Sequence, residues 1–238
     1  MKYVFDIHTH SRVSGHAYST IREMAKSASE KGLELLGITE HAPAMPGTCH
    51  SLYFRNLKMI TRQMEGIELM LGAELNILDY EGTIDLPEEI LEKMDVVIAS
   101  LHTPCITSGT VEENTRAFLN AMKNPYIDVI GHPDDIRYPV DYKALVYGAK
   151  ESGKLLEVNN NSLDPRSTRK GGYENYSRML EYCKECGQPI VVNSDAHVDQ
   201  LVGNHGYAYQ LIQELGFPEE LVVNTDVAKL KACLRKYK

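Results

Sequence analysis

The chain has 238 residues, 43% hydrophobic and 24% charged, with a formal net charge of −8 and a pI near 5.6. That length and balance suit a soluble globular fold with a full core, and no apolar run approaches the roughly 18 residues of a membrane span. An acidic surface repels a phosphate backbone, whose capture needs many Lys and Arg contacts, so duplex nucleic acid is set aside as the main partner while a small anion is not.

Charge enters within the first six residues, too early for a signal peptide, and a cytoplasmic location is expected. Cys49, Cys105, Cys183, Cys186 and Cys233 form no dense, even framework, which argues against a disulfide scaffold. Cys183 and Cys186 lie three apart within a helical pattern and read as an ordinary helix face.

Short β-rich runs alternate with helical stretches along the chain, the pattern of βα units around a parallel sheet. The first strand is expected over 3–7, then a helix over 19–31 ended by Gly32. A second strand over 35–38 runs into Thr39-Glu40-His41, followed by a Pro/Gly loop and a helix over 51–65. The third strand, 68–73, ends at Glu74. Pro87 and two acids open a short helix, as helix starts prefer. Strand four (95–100) ends at His102, helix 111–123 follows, and strand five (128–131) ends at His132. Helix 141–152, strand six (155–159), helix 173–186, strand seven (189–194) and helices 206–215 and 226–235 complete the chain. Seven βα units without a linker give one domain over 1–238.

The strand ends carry the chemistry. His8 and His10, two apart on an extended backbone, point the same way. His41, Glu74, His102, His132, Asp195 and His197 also follow strands, and His16 lies in the loop after the first. In a parallel barrel these ends converge on one face. A lone histidine there is usually a hydrogen-bonded cap, but seven of the chain's nine histidines with two carboxylates have little reason to gather for packing alone. Only His50 and His205 fall outside. Nine donors exceed one zinc's three or four, so two or three ions are expected. Nitrogen and oxygen ligands without cysteine suit zinc, manganese or iron.

Asp6-x-His8-x-His10 with His16, Thr39-Glu40-His41, Gly72-x-Glu74, Ser100-x-His102, Gly131-His132-Pro133 and Ser194-Asp195-x-His197 together resemble the PHP (polymerase and histidinol phosphatase) family, in particular its small stand-alone bacterial phosphatases of the YcdX type. The resemblance spans essentially the whole chain. It implies a distorted (βα)7 TIM-like α/β barrel, a trinuclear centre that is usually zinc, and phosphoester hydrolysis. It would give one ion His8, His10, Glu74 and Asp195, a second Glu74, His102 and His132, and a third His16, His41 and His197.

The chemistry expected is attack on a small phosphomonoester by a metal-activated water held near Glu74, Asp195, His102 and His132. Three divalent ions against two carboxylates make a cationic pocket inside an acidic protein. Arg12, Arg137, Arg166 and Arg169 are candidate phosphate contacts, although any one arginine in such a loop is more often a surface residue. The Asn159-Asn160-Asn161-Ser162 tract either touches substrate or satisfies a turn. The run from Gly148 to Lys154 imitates a phosphate-binding loop, but Leu155 stands where Ser or Thr must bind magnesium, and it joins helix to strand. Rival readings are an amidohydrolase, disfavoured by the absence of a lysine near the fourth strand's end; a nuclease, disfavoured by the absence of a basic aromatic groove; and a non-catalytic metal-binding scaffold. A homo-oligomer is compatible with the sequence.

Overall fold

Seven parallel strands follow one another around the molecule in chain order. The computed structural model describes residues 1–238 and sets the strands at β1 Phe5–Asp6, β2 Leu35–His41, β3 Gln63–Met64, β4 Ile67–Asn76, β5 Val97–Ser100, β6 Val129–Ile130, β7 Leu155–Asn159 and β8 Ile190–Asn193. All pair in parallel except β3, a short antiparallel neighbour of β4. The helices are α1 Ile21–Glu30, α2 Ser51–Asn56, α3 Glu88–Leu91, α4 Val111–Met122, α5 Tyr142–Ser152, α6 Asn160–Leu163, α7 Gly172–Cys186, α8 Gly206–Glu214 and α9 Val227–Cys233. None is long and apolar enough to cross a membrane.

Local chemistry sets the helix ends. Thr20 with Glu23, and Thr110 with Glu113, form reciprocal capping boxes at the starts of α1 and α4. Asp141 caps α5, and α5 and α7 stop at left-handed Gly153 and Gly187.

The expected helix over 51–65 is corrected. α2 ends at Asn56, a single 3-10 turn follows at Leu57–Met59, and the chain then forms a hairpin, β3 to β4. The two turn residues, Glu65 and Gly66, both have positive φ (50° and 84°), as a tight hairpin turn demands. Glu rarely takes the first of these positions, which hides the turn in the sequence.

Period-two alternation divides each strand between two apolar layers. Phe5, Leu35, Met70, Ile98, Val129, Leu155 and Val191, one from each parallel strand, fill the interior with Leu230 of α9 and Leu234 after it. Leu36, Leu71, Val97, Ile130, Leu156 and Val192 face outward against helix residues such as Phe118, Leu145 and Leu180. Each such side chain, once buried, contributes about 1.5–3 kcal/mol. Moving along the inward positions, apolar residues give way to small and polar ones: Met70, Gly72, Glu74 and Asn76 on β4, and Leu155, Glu157 and Asn159 on β7. A Cβ on Gly72 would fall 1.9 Å from the Val96 carbonyl oxygen, so only glycine lets β4 and β5 approach this closely.

The sheet nearly closes into a TIM-like barrel, and side chains bridge the remaining seam. Between β8 and β1 one isolated parallel bridge joins Thr9 to Ala196. Below it the buried Asn224 side chain accepts from Val192 N (2.7 Å) and donates to Val192 O (2.7 Å) and Phe5 O (3.3 Å). Asn193 Oδ1 accepts from Ile7 N at 3.0 Å. These amides stand in for the backbone of a missing eighth strand.

Candidate metal centre

Glu74 lies at the middle of the polar end of the barrel, fully buried. Its Oε2 is 2.7 Å from His41 Nδ1, 3.3 Å from His8 Nε2 and 3.5 Å from His10 Nε2. Its Oε1 is 2.8 Å from His132 Nε2 and 3.2 Å from His102 Nε2, and accepts from Ser100 Oγ at 2.7 Å. Asp195 Oδ1 lies 3.3 Å from His10 Nε2 and 3.7 Å from His8 Nε2. The Nε2 atoms of His197 and His16 are 3.0 Å apart, near the roughly 3.3 Å edge that two nitrogens about 2.05 Å from one tetrahedral zinc would have. All nine sequence-predicted donors therefore meet in one place. His50 caps α2 and His205 packs beside Asp6, both outside it.

Elements bring these groups in by different routes. His41 and Glu74 are cross-strand partners on β2 and β4, and His102 continues the inward series from Ile98 and Ser100. His8 and His10 turn inward beyond the end of the β1 ladder, their ring centroids 5.1 Å apart. His132 would follow Gly131 to the outer face by alternation, but its left-handed backbone (φ 26°) swings it to Glu74. Asp195 is also left-handed (φ 54°). Such conformations in non-glycine residues cost about 1–3 kcal/mol each and gather where function demands them.

Donor chemistry fits divalent cations. His8 Nε2, His10 Nε2, His41 Nδ1, His102 Nε2 and Glu74 Oε2 are all buried without a hydrogen-bond partner, although buried polar atoms are otherwise almost always paired. Three sets of donor atoms lie within 4.8 Å of one another: His8, His10 and Glu74; His41, Glu74 and His102; and His10, His41 and His197.

The far sides of the His8, His102 and His197 rings are held as well, the first two by residues outside the nine-donor set. His8 Nδ1 bonds Glu157 Oε1 (2.7 Å), His102 Nδ1 bonds Asn76 Oδ1 (2.8 Å), and His197 Nδ1 bonds the Asp195 carbonyl (2.9 Å). Since these oxygens only accept, each Nδ1 carries the proton and each Nε2 offers its lone pair to the centre, as metal-binding histidines require. Glu157 also accepts from His132 N (2.8 Å), Asn193 Nδ2 (2.8 Å) and Asn159 Nδ2 (3.1 Å). A charged residue at an inward position of an otherwise apolar strand is the sequence signal for it.

Burial alone would lift the Glu74 carboxyl, but His102, His8 and His41 hold it well below the usual carboxylate range. Burial likewise opposes charge on Asp195, where Arg169 and His8 prevail and hold it low. Burial, with His41 and His197 nearby, keeps His10 well below the ordinary histidine value and brings His16 down to about 4. These imidazoles thus favour the neutral form that ligates metals.

Beside the donors opens a cavity of about 220 Å³ lined by His16, His102, His197, Thr168, Arg137 and Arg169, among others. Arg169 is held inside it, with Nη2 2.8 Å from Asp195 Oδ2 and Nη1 3.2 Å from Ser162 Oγ. Arg137, at the mouth, forks onto Asp135 (2.6–3.0 Å). The other two candidate arginines are placed elsewhere. Arg12 points outward into a separate groove with Val13 and Tyr53, because the serines of its turn take the inner side. Arg166 is captured by Asp164 two residues earlier (2.7 Å) and is 78% exposed. Of the asparagine tract, Asn159 caps α6 and reaches Asp195 Oδ2 at 3.2 Å, while Asn160 accepts from Ala208 N at 3.0 Å.

The sequence model described as the PHP domain matches residues 6–215. This chain belongs to the PHP domain family. Among PHP relatives, a protein of Thermoanaerobacter sp. (strain X514) called a probable phosphatase is 50% identical over 239 residues, covering 100% of this chain and 97% of its own. A probable phosphatase of Clostridium novyi (strain NT) is 46% identical over 235 residues, with coverages of 99% and 96%. Among solved structures, the histidinol phosphate phosphatase of Lactococcus lactis subsp. lactis, complexed with zinc, L-histidinol and phosphate, superposes with a TM-score of 0.62 at 20% identity, covering 91% of this chain and 95% of that one. The latter likeness concerns the fold.

Proposed function

We propose that this PHP chain is, over its full length, a metal-dependent phosphatase that hydrolyses small phosphomonoesters at a trinuclear centre. The observation that carries the reading is the set of buried, unpartnered nitrogens around Glu74 Oε2. His8, His10, Glu74 and Asp195 would hold one ion, Glu74, His102 and His132 a second, and His16, His41 and His197 a third. Zinc suits these donors, as do manganese and iron. Support comes from relatives called probable phosphatases and from the zinc and phosphate in the Lactococcus lactis enzyme.

When bound, such ions supply Lewis acidity towards phosphate oxygens and lower the pKa of water from 15.7 towards ~7. The chain's own groups bind, orient and shield. Arg169, fixed by Asp195 and Ser162, keeps further N–H donors for a phosphate oxygen in the cavity. Arg137 is oriented by Asp135 at the mouth, where it meets the incoming anion. Ser100 and Glu157 hold Glu74 and His8 in place, so these donors need little rearrangement on binding substrate.

Purified protein should contain two to three divalent ions and hydrolyse p-nitrophenyl phosphate far faster than single-stranded DNA. Glu74→Ala and Asp195→Ala should lose metal and activity together. At most one ion per chain, or faster cleavage of DNA than of the monoester, would overturn the reading.

A further inference from the structure

Two carboxylates in the motifs above stand outside the donor set, Asp6 and Glu40. Asp6 is spent on the seam, accepting from Gly203 N (2.9 Å) and Ser194 N (3.2 Å). Glu40 immediately precedes His41 on β2, is fully buried, and points away from the centre towards the loop after β1. Its Oε2 accepts from Ser14 Oγ (2.6 Å) and Ser11 N (3.1 Å), and its Oε1 takes the Ser11 hydroxyl. Tyr53 OH lies 3.4 Å from the same Oε1.

Ser14 is the junction. Having donated its proton to Glu40, its oxygen accepts from His41 N at 3.0 Å and lies 3.3 Å from His10 Nδ1. The chain thus runs from Glu40 through Ser14 to the rear of His10 and to the backbone of His41. Two residues beyond Ser14 comes His16, the most exposed of the nine donors. Its loop is tied down on both sides: Ser11 and Ser14 reach Glu40, and left-handed Gly15 lies against the second loop, where a Cβ would sit 2.1 Å from Gly47 O. No direct hydrogen bond from the barrel to the imidazole of His16 substitutes for this anchorage; its one ring partner is His197.

We infer that Glu40, acting through Ser11 and Ser14, is the positioning residue that assembles the third metal site by fixing the loop that carries His16 relative to His41. The inference rests on the metal-centre reading above and adds to it a division of labour. His8, Glu74, His102, His132 and Asp195 are anchored by barrel strands or the seam, whereas the third site depends on a loop whose side-chain tie to the barrel is one carboxylate, with Tyr18 N on the His197 carbonyl (2.8 Å) and Gly15 against Gly47 as its backbone contacts. Loss of that carboxylate therefore weakens the third ion most and reaches the first only through the 3.3 Å contact of Ser14 with His10, whose site keeps three other donors, so one ion is released and two are retained. Outer-sphere hydrogen-bond partners of this kind are worth about 10–100-fold in metal affinity.

The test is zinc stoichiometry and competition with a colorimetric chelator, measured on the full chain for wild type, Glu40→Gln, Ser14→Ala, His16→Ala and the double variant Glu40→Gln/His16→Ala, with circular dichroism to confirm folding. Glu40→Gln keeps the shape but turns a donor towards one of the serines. Ser14→Ala makes the smaller change and guards against misfolding of the first variant. Wild type should hold three zinc ions. Glu40→Gln, Ser14→Ala and His16→Ala should each yield their weakest ion at least tenfold more readily and retain two. The double variant should lose no more than His16→Ala does, because both changes strike one site. Three ions of wild-type tenacity in folded Glu40→Gln and Ser14→Ala would overturn the inference while leaving the phosphatase reading intact. Loss of all three ions together in Glu40→Gln would overturn the division of labour. A wild type that binds at most one ion would sink the metal centre itself, and this inference with it.

Discussion

Glu157 Oε1 lies 2.7 Å from His8 Nδ1 at the centre of the barrel, and neither side chain is exposed. Burial would raise the Glu157 carboxyl, but the charge and hydrogen bond of His8 hold it below the ordinary value. All four of its hydrogen-bond partners donate: His8 Nδ1, His132 N, Asn159 Nδ2 and Asn193 Nδ2. An amide would confront at least one of them with another donor. Glu157→Gln is therefore expected to weaken metal binding by about 10–100-fold and stability by about 1–3 kcal/mol for each donor left unpaired. Chelator competition and urea unfolding measure the two separately.

Acid should destabilise the metal-stripped protein well before Glu74 and Asp195 titrate. Burial, helped by neighbouring imidazoles, holds His10 and His16 below the ordinary histidine value, and burial does the same to His102 and His197. Below about pH 6.5 the unfolded chain takes protons that these folded histidines refuse, so their contribution is complete above 6.5 and fades as pH falls. Glu40 and His8 work the other way: burial lifts Glu40 to about 7, and against burial the charges of Glu157 and Glu74 hold His8 well above the ordinary histidine value, so their contributions fade as pH rises, but they are two groups against four. The lowered Glu74 and Asp195 contribute above the ordinary carboxylate range and fade only in stronger acid. The Tm of metal-free protein should fall steadily from pH 6.5 to 4. A flat or rising profile over that interval would contradict the arrangement.

The donors are legible in the sequence because each closes a short apolar run, and in a parallel barrel such ends share one face. Much of the supporting structure is not, for identifiable reasons. Glu157 reads as one polar residue among apolar neighbours until the strand's inward face is known. His132 reaches Glu74 through a backbone turn that no pattern of hydrophobicity encodes. The choice among the arginines depends on local capture: Arg166 and Arg137 each have an aspartate two residues before them, yet Asp164 holds its partner outside the cavity and Asp135 holds its partner at the mouth. The missing eighth strand leaves no trace as a run, because single amides, Asn193 and Asn224, do its work.

Asn224 gives that last point an energetic test. Its side chain makes three hydrogen bonds to the backbones of β1 and β8, and it is fully buried. Asn224→Ala leaves one buried N–H and two carbonyls of those strands unpaired, at about 1–3 kcal/mol each at most. A loss of roughly 3 kcal/mol in denaturant unfolding is expected. Metal content under native conditions should be unchanged, because the bonds lie below the donors. A loss under 1 kcal/mol would mean that the seam closes by other contacts.

Arg169 and Arg166, three residues apart, should behave oppositely. Arg169 is inside the cavity, with its charge stabilised by Asp195 and Asp134 against the cost of burial, and its planar fork suits a phosphate oxygen pair. Removing a donor aimed at the charge developing in a transition state costs about 100- to 1,000-fold in rate, so Arg169→Ala should lower kcat/KM by at least 100-fold. Inhibition by inorganic phosphate should weaken in parallel. Arg169→Lys restores the charge beside Asp195 without the fork, and should recover metal content while leaving kcat/KM below about a tenth of wild type. Arg166→Ala, at an exposed pair with Asp164, should stay within about twofold. The decisive comparison is between metal content and phosphate inhibition in Arg169→Lys. If both return to wild type, the charge alone suffices and Arg169 serves Asp195; if metal returns and phosphate binding does not, the fork itself grips the substrate.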